Sequence, residues 1–193
     1  MRLVGAIIGV GLMAAPVLAD AVDERAARKM LFSDRGHAVQ VADGLSETDA
    51  ATVRAIIPLM AEQLRQPVRY YAAIAWSPEN GLVHESLQGA MNHHTPGAAA
   101  RAAVAACNAQ LATGTGCEVA AWVVPKRYKR HDLSLSVSAT AAFNGTYRKT
   151  DGPKVFAISP ALGSWSIATG EAAALADCAA QSGAADCEVV IRD

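Results

Sequence analysis

The chain has 193 residues, of which 52% are hydrophobic and 18% charged, and its formal net charge at pH 7 is -1. That length suits one domain or two small modules that share a core, and the hydrophobic content excludes a globally disordered chain. A near-neutral charge argues against a general nucleic-acid or anionic-membrane binder, because such proteins bind through a basic surface.

Residues 1–19 have the pattern of a secretory signal peptide. A basic residue precedes an uncharged apolar run, and Val17 and Ala19 supply the small residues of a cleavage site. Cleavage is predicted after Ala19, with Ala21 as the second choice. The apolar run is short for a membrane anchor, contains a proline and is followed by acidic residues. We therefore expect a periplasmic or secreted protein with no stable membrane insertion once the signal is removed.

Residues 20–66 are predicted to be an N-terminal helical segment. A short amphipathic helix is expected at 22–32, followed by a turn-like stretch at 33–44 that contains two glycines. The sequence S-E-T-D at 46–49 has the form of a capping box. It is predicted to begin a second helix, which runs to residue 64.

Two segments of the chain repeat the same three features in the same order. Each contains the motif A-Φ-S-P-x-x-G, in which Φ is apolar, then an Ala-rich stretch that ends in Cys, then C-E-V. Three shared features in one order indicate an internal repeat. Repeat 1 is assigned to residues 67–125 and repeat 2 to residues 154–193. The equivalent positions are 75–81 and 157–163 for the turn motif, Cys107 and Cys178 for the Ala-rich stretch, and Cys117 and Cys187 for C-E-V.

Each repeat is predicted to fold as strand, strand, helix and strand, which gives an α+β fold class. The two β-β-α-β half-repeats are expected to form antiparallel sheet with helices on one face, together with the N-terminal helices. In repeat 1, Thr95 and Pro96 are the expected N-cap and first residue of the helix. The expected strands are 68–76, 82–88 and 117–124 in repeat 1, and 154–159, 165–169 and 187–191 in repeat 2, whose helix is expected at 171–181.

The repeat also predicts how the four cysteines pair. In each copy one cysteine lies near a helix end and the other at the start of the next strand, so Cys107–Cys117 and Cys178–Cys187 are the expected disulfides. Disulfides agree with an exported chain. A metal site is disfavoured because no C-x-x-C pair is present, and no cofactor is predicted.

Residues 126–153 are predicted to be a linker that contains a helix. Ser136 could cap that helix, whereas Asn144-Gly145 would suit a hairpin instead; the helix is preferred. The linker begins with K-R-Y-K-R-H at 126–131, which could contact a phosphate, an anionic lipid or a cell-wall polymer. We interpret this basic stretch as a solvated connection between the two repeats.

The A-Φ-S-P-x-x-G turn, the Ala-rich helix ending in Cys and the C-E-V strand resemble the DUF4189 class, which comprises small exported bacterial domains of unknown function. The resemblance covers about residues 70–193, in two copies. It implies an exported, disulfide-bearing α+β module with no established activity. A 5-aminolevulinate synthase label, carried by some chains of this appearance, is not supported here, because the chain has a signal peptide, few lysines and no Gly-rich phosphate loop.

The candidate ligand-binding residues lie in repeat 1. His84 and Glu85 are on the predicted second strand, His93 and His94 precede the helix, and Trp76 is a large apolar group beside the turn. Such histidines could bind a metal or form an acid–base pair. Repeat 2 has no histidine at the equivalent place, so a duplicated active site is not expected, and the favoured interpretation of the histidines is structural.

The predicted function is therefore a disulfide-stapled, non-catalytic exported module that binds a protein, an envelope component or a small ligand. The motif G-x-S-x-G is absent and all four cysteines have expected partners, which disfavours nucleophilic catalysis. The alternative is a metal-dependent or acid–base hydrolase that uses His84, His93 and His94. A third possibility is an inhibitor of exported enzymes that uses the turn at 77–81 or 159–163. No nucleic-acid partner is predicted.

Overall fold

A computed structural model describes residues 20–63, 65, 67–112 and 116–193. The predicted signal peptide lies outside the described residues, as does residue 64, the expected end of the second helix. Among the described residues, no helix combines the length and the apolar character that crossing a membrane requires.

The described part of the chain contains five α-helices and seven strands, so the fold is α+β as predicted. The elements in chain order are α1 (Glu24–Met30), β1 (His37–Val41), α2 (Glu47–Gln63), β2 (Ala72–Trp76), β3 (Gln88–Ala90), α3 (Pro96–Asn108), β4 (Glu118–Pro125), α4 (Val137–Gly145), a 3-10 helix (Tyr147–Lys149), β5 (Val155–Ile158), β6 (Trp165–Ala168), α5 (Glu171–Ser182) and β7 (Glu188–Arg192).

The strands form two separate antiparallel sheets. One has the order β1-β4-β2-β3 and the other the order β6-β5-β7. In both, the first strand of a repeat lies between the second and the third. The register between first and third strands shifts at Ile74/Ala75 in one sheet and at Phe156/Ala157 in the other. These two positions, Ala75 and Ala157, are equivalent in the proposed sequence alignment of the repeats.

Each sheet packs between helices. On one face lies the helix of the repeat itself: α3 packs on Ala73 and Ala75, and α5 packs on Val155 and Ala157. Successive residues of a strand point to opposite faces, so Ile74 and Phe156 lie on the other side of their sheets. There α2 packs on the sheet of repeat 1, while α1 and α4 pack on Phe156 and its neighbours. The buried face of α3 carries alanines, so this helix can approach its sheet closely.

The stretch 33–44, predicted to be turn-like, contains a strand, and that prediction was wrong. His37 to Val41 pair with β4 along their whole length. Ala38, Val39 and Val41 are part-buried and pack on core clusters, whereas His37 and Gln40 are exposed. The two glycines that favoured a turn lie on either side of the strand.

The strand predicted at 82–88 was also wrong, since ladder pairing to β2 begins only at Gln88. The preceding residues form turns held by local hydrogen bonds. The N–H of Ser86 donates to His84 Nδ1 at 3.1 Å, and the N–H of Leu87 donates to the His84 carbonyl at 2.9 Å. Side-chain bonds of this kind compete with a strand ladder for the backbone.

Two predicted helix starts are confirmed by their caps. Thr95 Oγ1 accepts from the N–H of Ala98 at 3.1 Å and Pro96 begins α3. Ser136 Oγ accepts from the N–H of Ala139 at 3.2 Å, so the linker contains the helix α4 rather than a hairpin at this place. In both cases the cap satisfies an N–H that the helix itself leaves without a partner.

Both predicted disulfides are present. Cys107–Cys117 joins the end of α3 to the start of β4, and Cys178–Cys187 joins α5 to the residue before β7. No free cysteine occurs among the described residues. Each bond closes a loop of about ten residues, and limiting the unfolded chain in this way is worth about 3 kcal/mol.

The beginning and the end of the described chain meet in the second sheet. Val22 forms an isolated parallel bridge with Ile191. Its N–H donates to the Val190 carbonyl at 3.1 Å, and its carbonyl accepts from the N–H of Arg192 at 2.9 Å. The segment that starts at Val22 then continues through α1 to β1, so it contributes to the edges of both sheets.

Candidate functional site

His94 connects three separate parts of the chain. Its Nδ1 accepts a hydrogen bond from the N–H of Ser136 at 3.0 Å, and its Nε2 lies 3.0 Å from the Ser164 carbonyl oxygen. Because a backbone N–H only donates and a carbonyl only accepts, the ring is neutral with its proton on Nε2. Burial lowers the pKa of His94 to about 4. Both ring nitrogens are therefore used to hold the fold.

His93 is also buried, but its Nδ1 has no hydrogen-bond partner among the described residues. Burial is the main cause that lowers its pKa, and the positive charge of Arg101 acts in the same direction. The turn of repeat 2 packs closely against this place: a Cβ added to Gly163 would lie 2.5 Å from the Asn92 carbonyl oxygen. The predicted pair His93 and His94 therefore lies at the contact between the two repeats.

The other predicted site residues lie in or beside the loop before β3. His84 Nδ1 is 2.9 Å from Ser86 Oγ, and Glu85 is exposed. Trp76 packs on the cluster that contains Val53, and its buried Nε1 has no partner among the described residues. Within those residues, no three His, Cys, Asp or Glu side chains are placed to hold one metal ion. The geometry therefore does not group His84 with the two buried histidines as a metal site.

A groove of about 600 Å³ lies where the two halves of the chain meet. Its walls come from the segment before β2, the segment after β3 and the first turns of α4. We call it the Arg69 groove. Its lining residues are Pro67, Arg69, Tyr70, Met91, Asn92, Val137, Ser138 and Ala141.

Hydrogen bonds join the walls of the Arg69 groove. Asn92 has the left-handed φ of +62°, which Asn adopts more readily than most residues, and its Oδ1 accepts from the N–H of Ser138 at 3.4 Å. Ser138 Oγ accepts from Trp165 Nε1 at 3.1 Å. The N–H of Val137 donates to the Tyr70 carbonyl at 3.2 Å. The groove is thus built by contacts from both repeats and the linker.

The groove combines an apolar wall with positive charge. Pro67, Met91 and Val137 are its apolar lining residues, and the exposed residue Arg69 also lines it. The N-terminal turn of α4 adds partial positive charge. Among the described residues, Ser138 Oγ contacts Ser136 Oγ and the Trp165 indole.

A second, smaller groove of about 310 Å³ adjoins the first. The two share Pro67, Arg69 and Tyr70. The smaller groove adds the segment from Asp34 to His37, which leads into β1. Arg69 therefore lies between two depressions of one continuous surface.

The sequence did not identify the residues of the Arg69 groove. Arg69, Asn92 and Ser138 are far apart in the chain, and no motif links them. The only available signal was indirect, since Asn92 directly precedes the histidine pair that was singled out.

No protein-family model, curated protein or solved structure matches the chain. The resemblance to the DUF4189 class therefore stays a prediction from short motifs. The functional inference that follows depends on the geometry of the described residues.

Proposed function

We propose that the chain is an exported, disulfide-stapled, non-catalytic binding module, and that the Arg69 groove binds a small ligand with an apolar body and one anionic group. The observation that carries this proposal is the groove itself, which is built from three segments and has the cationic residue Arg69 in its lining. Its volume of about 600 Å³ falls in the range of small-molecule sites.

Hydrogen bonds within the fold hold the walls of the Arg69 groove in place. The hydrogen bonds Asn92–Ser138 and Tyr70–Val137 fix both walls, so little of the binding free energy is lost in ordering them. Met91 and Val137 would cover the apolar part of the ligand, and Arg69 would pair with its anion.

Export is supported by two independent features. Residues 1–19 have the composition of a signal peptide, and both cysteine pairs form disulfides, which persist in oxidising compartments. The ligand would accordingly be one found in the periplasm or outside the cell.

The hydrolase alternative receives no support from the positions of its histidines. Both nitrogens of His94 contact backbone groups, and His84 Nδ1 is used within its own loop. The binding function is therefore preferred.

The proposal is tested with anilinonaphthalene sulfonate, which has an apolar body and one anion. Its fluorescence is titrated with the purified protein, and decanoate is added as a competitor. Arg69→Gln should weaken binding about tenfold through loss of the charged contact. Ala141→Trp, at an exposed position of the groove wall, should abolish binding because the indole fills the groove.

The matched control is Arg54→Gln, which removes an exposed cation from α2, outside the groove lining. It should leave the titration unchanged. Equal fluorescence from Ala141→Trp and the unsubstituted protein would show that the dye binds elsewhere and would overturn the proposal.

A further inference from the structure

The basic stretch 126–131 is held against the fold by aromatic contacts. The ring of Tyr128 lies 5.8 Å from Phe32 and 5.7 Å from Tyr71, measured between centroids. The His131 ring stacks on Phe32 at 5.1 Å, and its Nδ1 contacts the Met30 carbonyl. The stretch is therefore a fixed part of the surface and not a free connection between repeats.

The basic side chains around this aromatic cluster are exposed. Lys126 lies beside the segment before β1, since a Cβ added to Gly36 would be 3.1 Å from its Cε. The end of α1 lies beside the basic stretch, because the carbonyl of its last residue, Met30, contacts His131. We call this surface the basic patch. Its members are Arg28, Lys29, Arg35, Lys126, Arg127, Lys129 and Arg130, all of them exposed.

The patch has a strong excess of positive charge although the whole chain has a net charge of -1. Its two segments, 28–35 and 126–132, contain seven Lys or Arg residues and only Asp34 and Asp132 as acids. The salt bridges in the described part of the chain involve Glu24 and Glu171, and none of them includes a member of the patch. The positive charge of the patch is therefore balanced by acidic residues elsewhere in the chain.

We propose that the basic patch binds an anionic phospholipid surface. Its cations come from separate segments and are exposed, which suits a broad planar array of phosphates. The rings beneath it pack on one another: Tyr128 contacts Phe32 and Tyr71, and Tyr71 is fully buried. Rings packed in this way are less available for stacking with an unpaired base. This inference is independent of the ligand proposed for the Arg69 groove.

The test is co-sedimentation of the purified protein with vesicles. One set contains phosphatidylcholine alone, and the other also contains phosphatidylglycerol, whose negative charge gives the vesicle a surface potential that attracts basic segments. Binding to the second set only is expected, with loss at about 0.5 M NaCl because salt screens exposed charges.

The variant Lys126→Gln, Lys129→Gln, Arg130→Gln should weaken vesicle binding about 100-fold, at about fivefold for each cation removed. The matched control is Arg54→Gln, Arg101→Gln, Lys149→Gln, which removes three exposed cations that lie outside the patch. This control should bind almost as tightly as the unsubstituted protein.

Three outcomes would overturn the proposal. One is no binding to the phosphatidylglycerol vesicles at low salt, and another is equal weakening by the two triple variants. The third is tighter binding to a duplex DNA of mixed sequence than to the vesicles at the same ionic strength, which would assign the patch to nucleic acid. Anilinonaphthalene sulfonate binding in the groove is measured separately, so failure of one proposal leaves the other testable.

Discussion

The Nε2 of His94 donates a hydrogen bond to the carbonyl oxygen of Ser164, at 3.0 Å and across the contact between the two repeats. Seventy positions separate the two residues in the chain. The same ring accepts from Ser136, so one neutral imidazole joins repeat 1, the linker and repeat 2.

This arrangement makes stability depend on pH. The folded-state pKa of His94 is about 4, below the ordinary value of 6.5, so the unfolded chain binds the proton first. The contribution of neutral His94 to the free energy of unfolding is fully present above pH 6.5. As pH falls toward 4 this contribution is lost, which lowers the free energy of unfolding by about 3 kcal/mol. Urea unfolding at several pH values measures it, and His94→Gln should remove most of the slope. An unchanged slope in that variant would contradict the assignment.

The contact between repeats can be tested with two equivalent glycines. Gly81 and Gly163 have φ of +78° and +79°, but only at Gly163 would a Cβ meet a neighbour, the Asn92 carbonyl oxygen at 2.5 Å. Gly81→Ala should cost about 1 kcal/mol for backbone strain. Gly163→Ala should cost about 3 kcal/mol, because crowding adds to the strain. Equal unfolding free energies for the two variants would show that the contact is absent in solution.

The two disulfides should contribute similarly, since their loops have nearly the same length, with sequence separations of 10 and 9. Replacing both cysteines of either pair by serine should lower the free energy of unfolding by about 3 kcal/mol. Denaturation of each double variant, without reductant, measures this loss. If only one double variant has a lower free energy of unfolding, the two disulfides do not restrict the unfolded chain equally, and the prediction is wrong.

The ion pair between Glu24 and Lys154 should matter more than an exposed one. The ammonium of Lys154 is largely buried, lies 3.0 Å from Glu24 and is 4.9 Å from the centre of the Tyr147 ring. Glu24→Gln should therefore cost about 2 kcal/mol, because a buried charge loses its partner. Glu47→Gln, at an exposed position in the first turn of α2, is the control and should cost well under 1 kcal/mol. Similar costs in thermal unfolding would contradict a special role for Glu24.

Features encoded by neighbouring residues could be predicted from the sequence. Thr95 with Pro96, and Ser136 before its helix, act within one turn of the chain, and the cysteine pairs follow from the repeated order of short motifs. The strand at His37 was missed because its support comes from β4, about eighty residues later. The loop at His84 was misread because strand-forming residue types there are overruled by local side-chain bonds.

The candidate site was harder to predict for a related reason. His93 and His94 were singled out from the sequence as candidate ligand-binding residues, but the hydrogen bonds of His94 are made with Ser136 and Ser164 from distant segments. The Arg69 groove needs the same long-range contacts. Its walls come from three segments of the chain, and none of these segments alone contains a sequence motif that predicts the groove.

The bridge between Val22 and Ile191 sets an order of events in folding. The backbone of Val22 finds its partners only in β7, so the first described strand contact cannot form until the last strand has been synthesised. Closing a loop of that length is entropically costly and slow compared with local pairing. A chain that lacks β7 would leave the backbone groups of Val22 without these partners and the second sheet with an open edge.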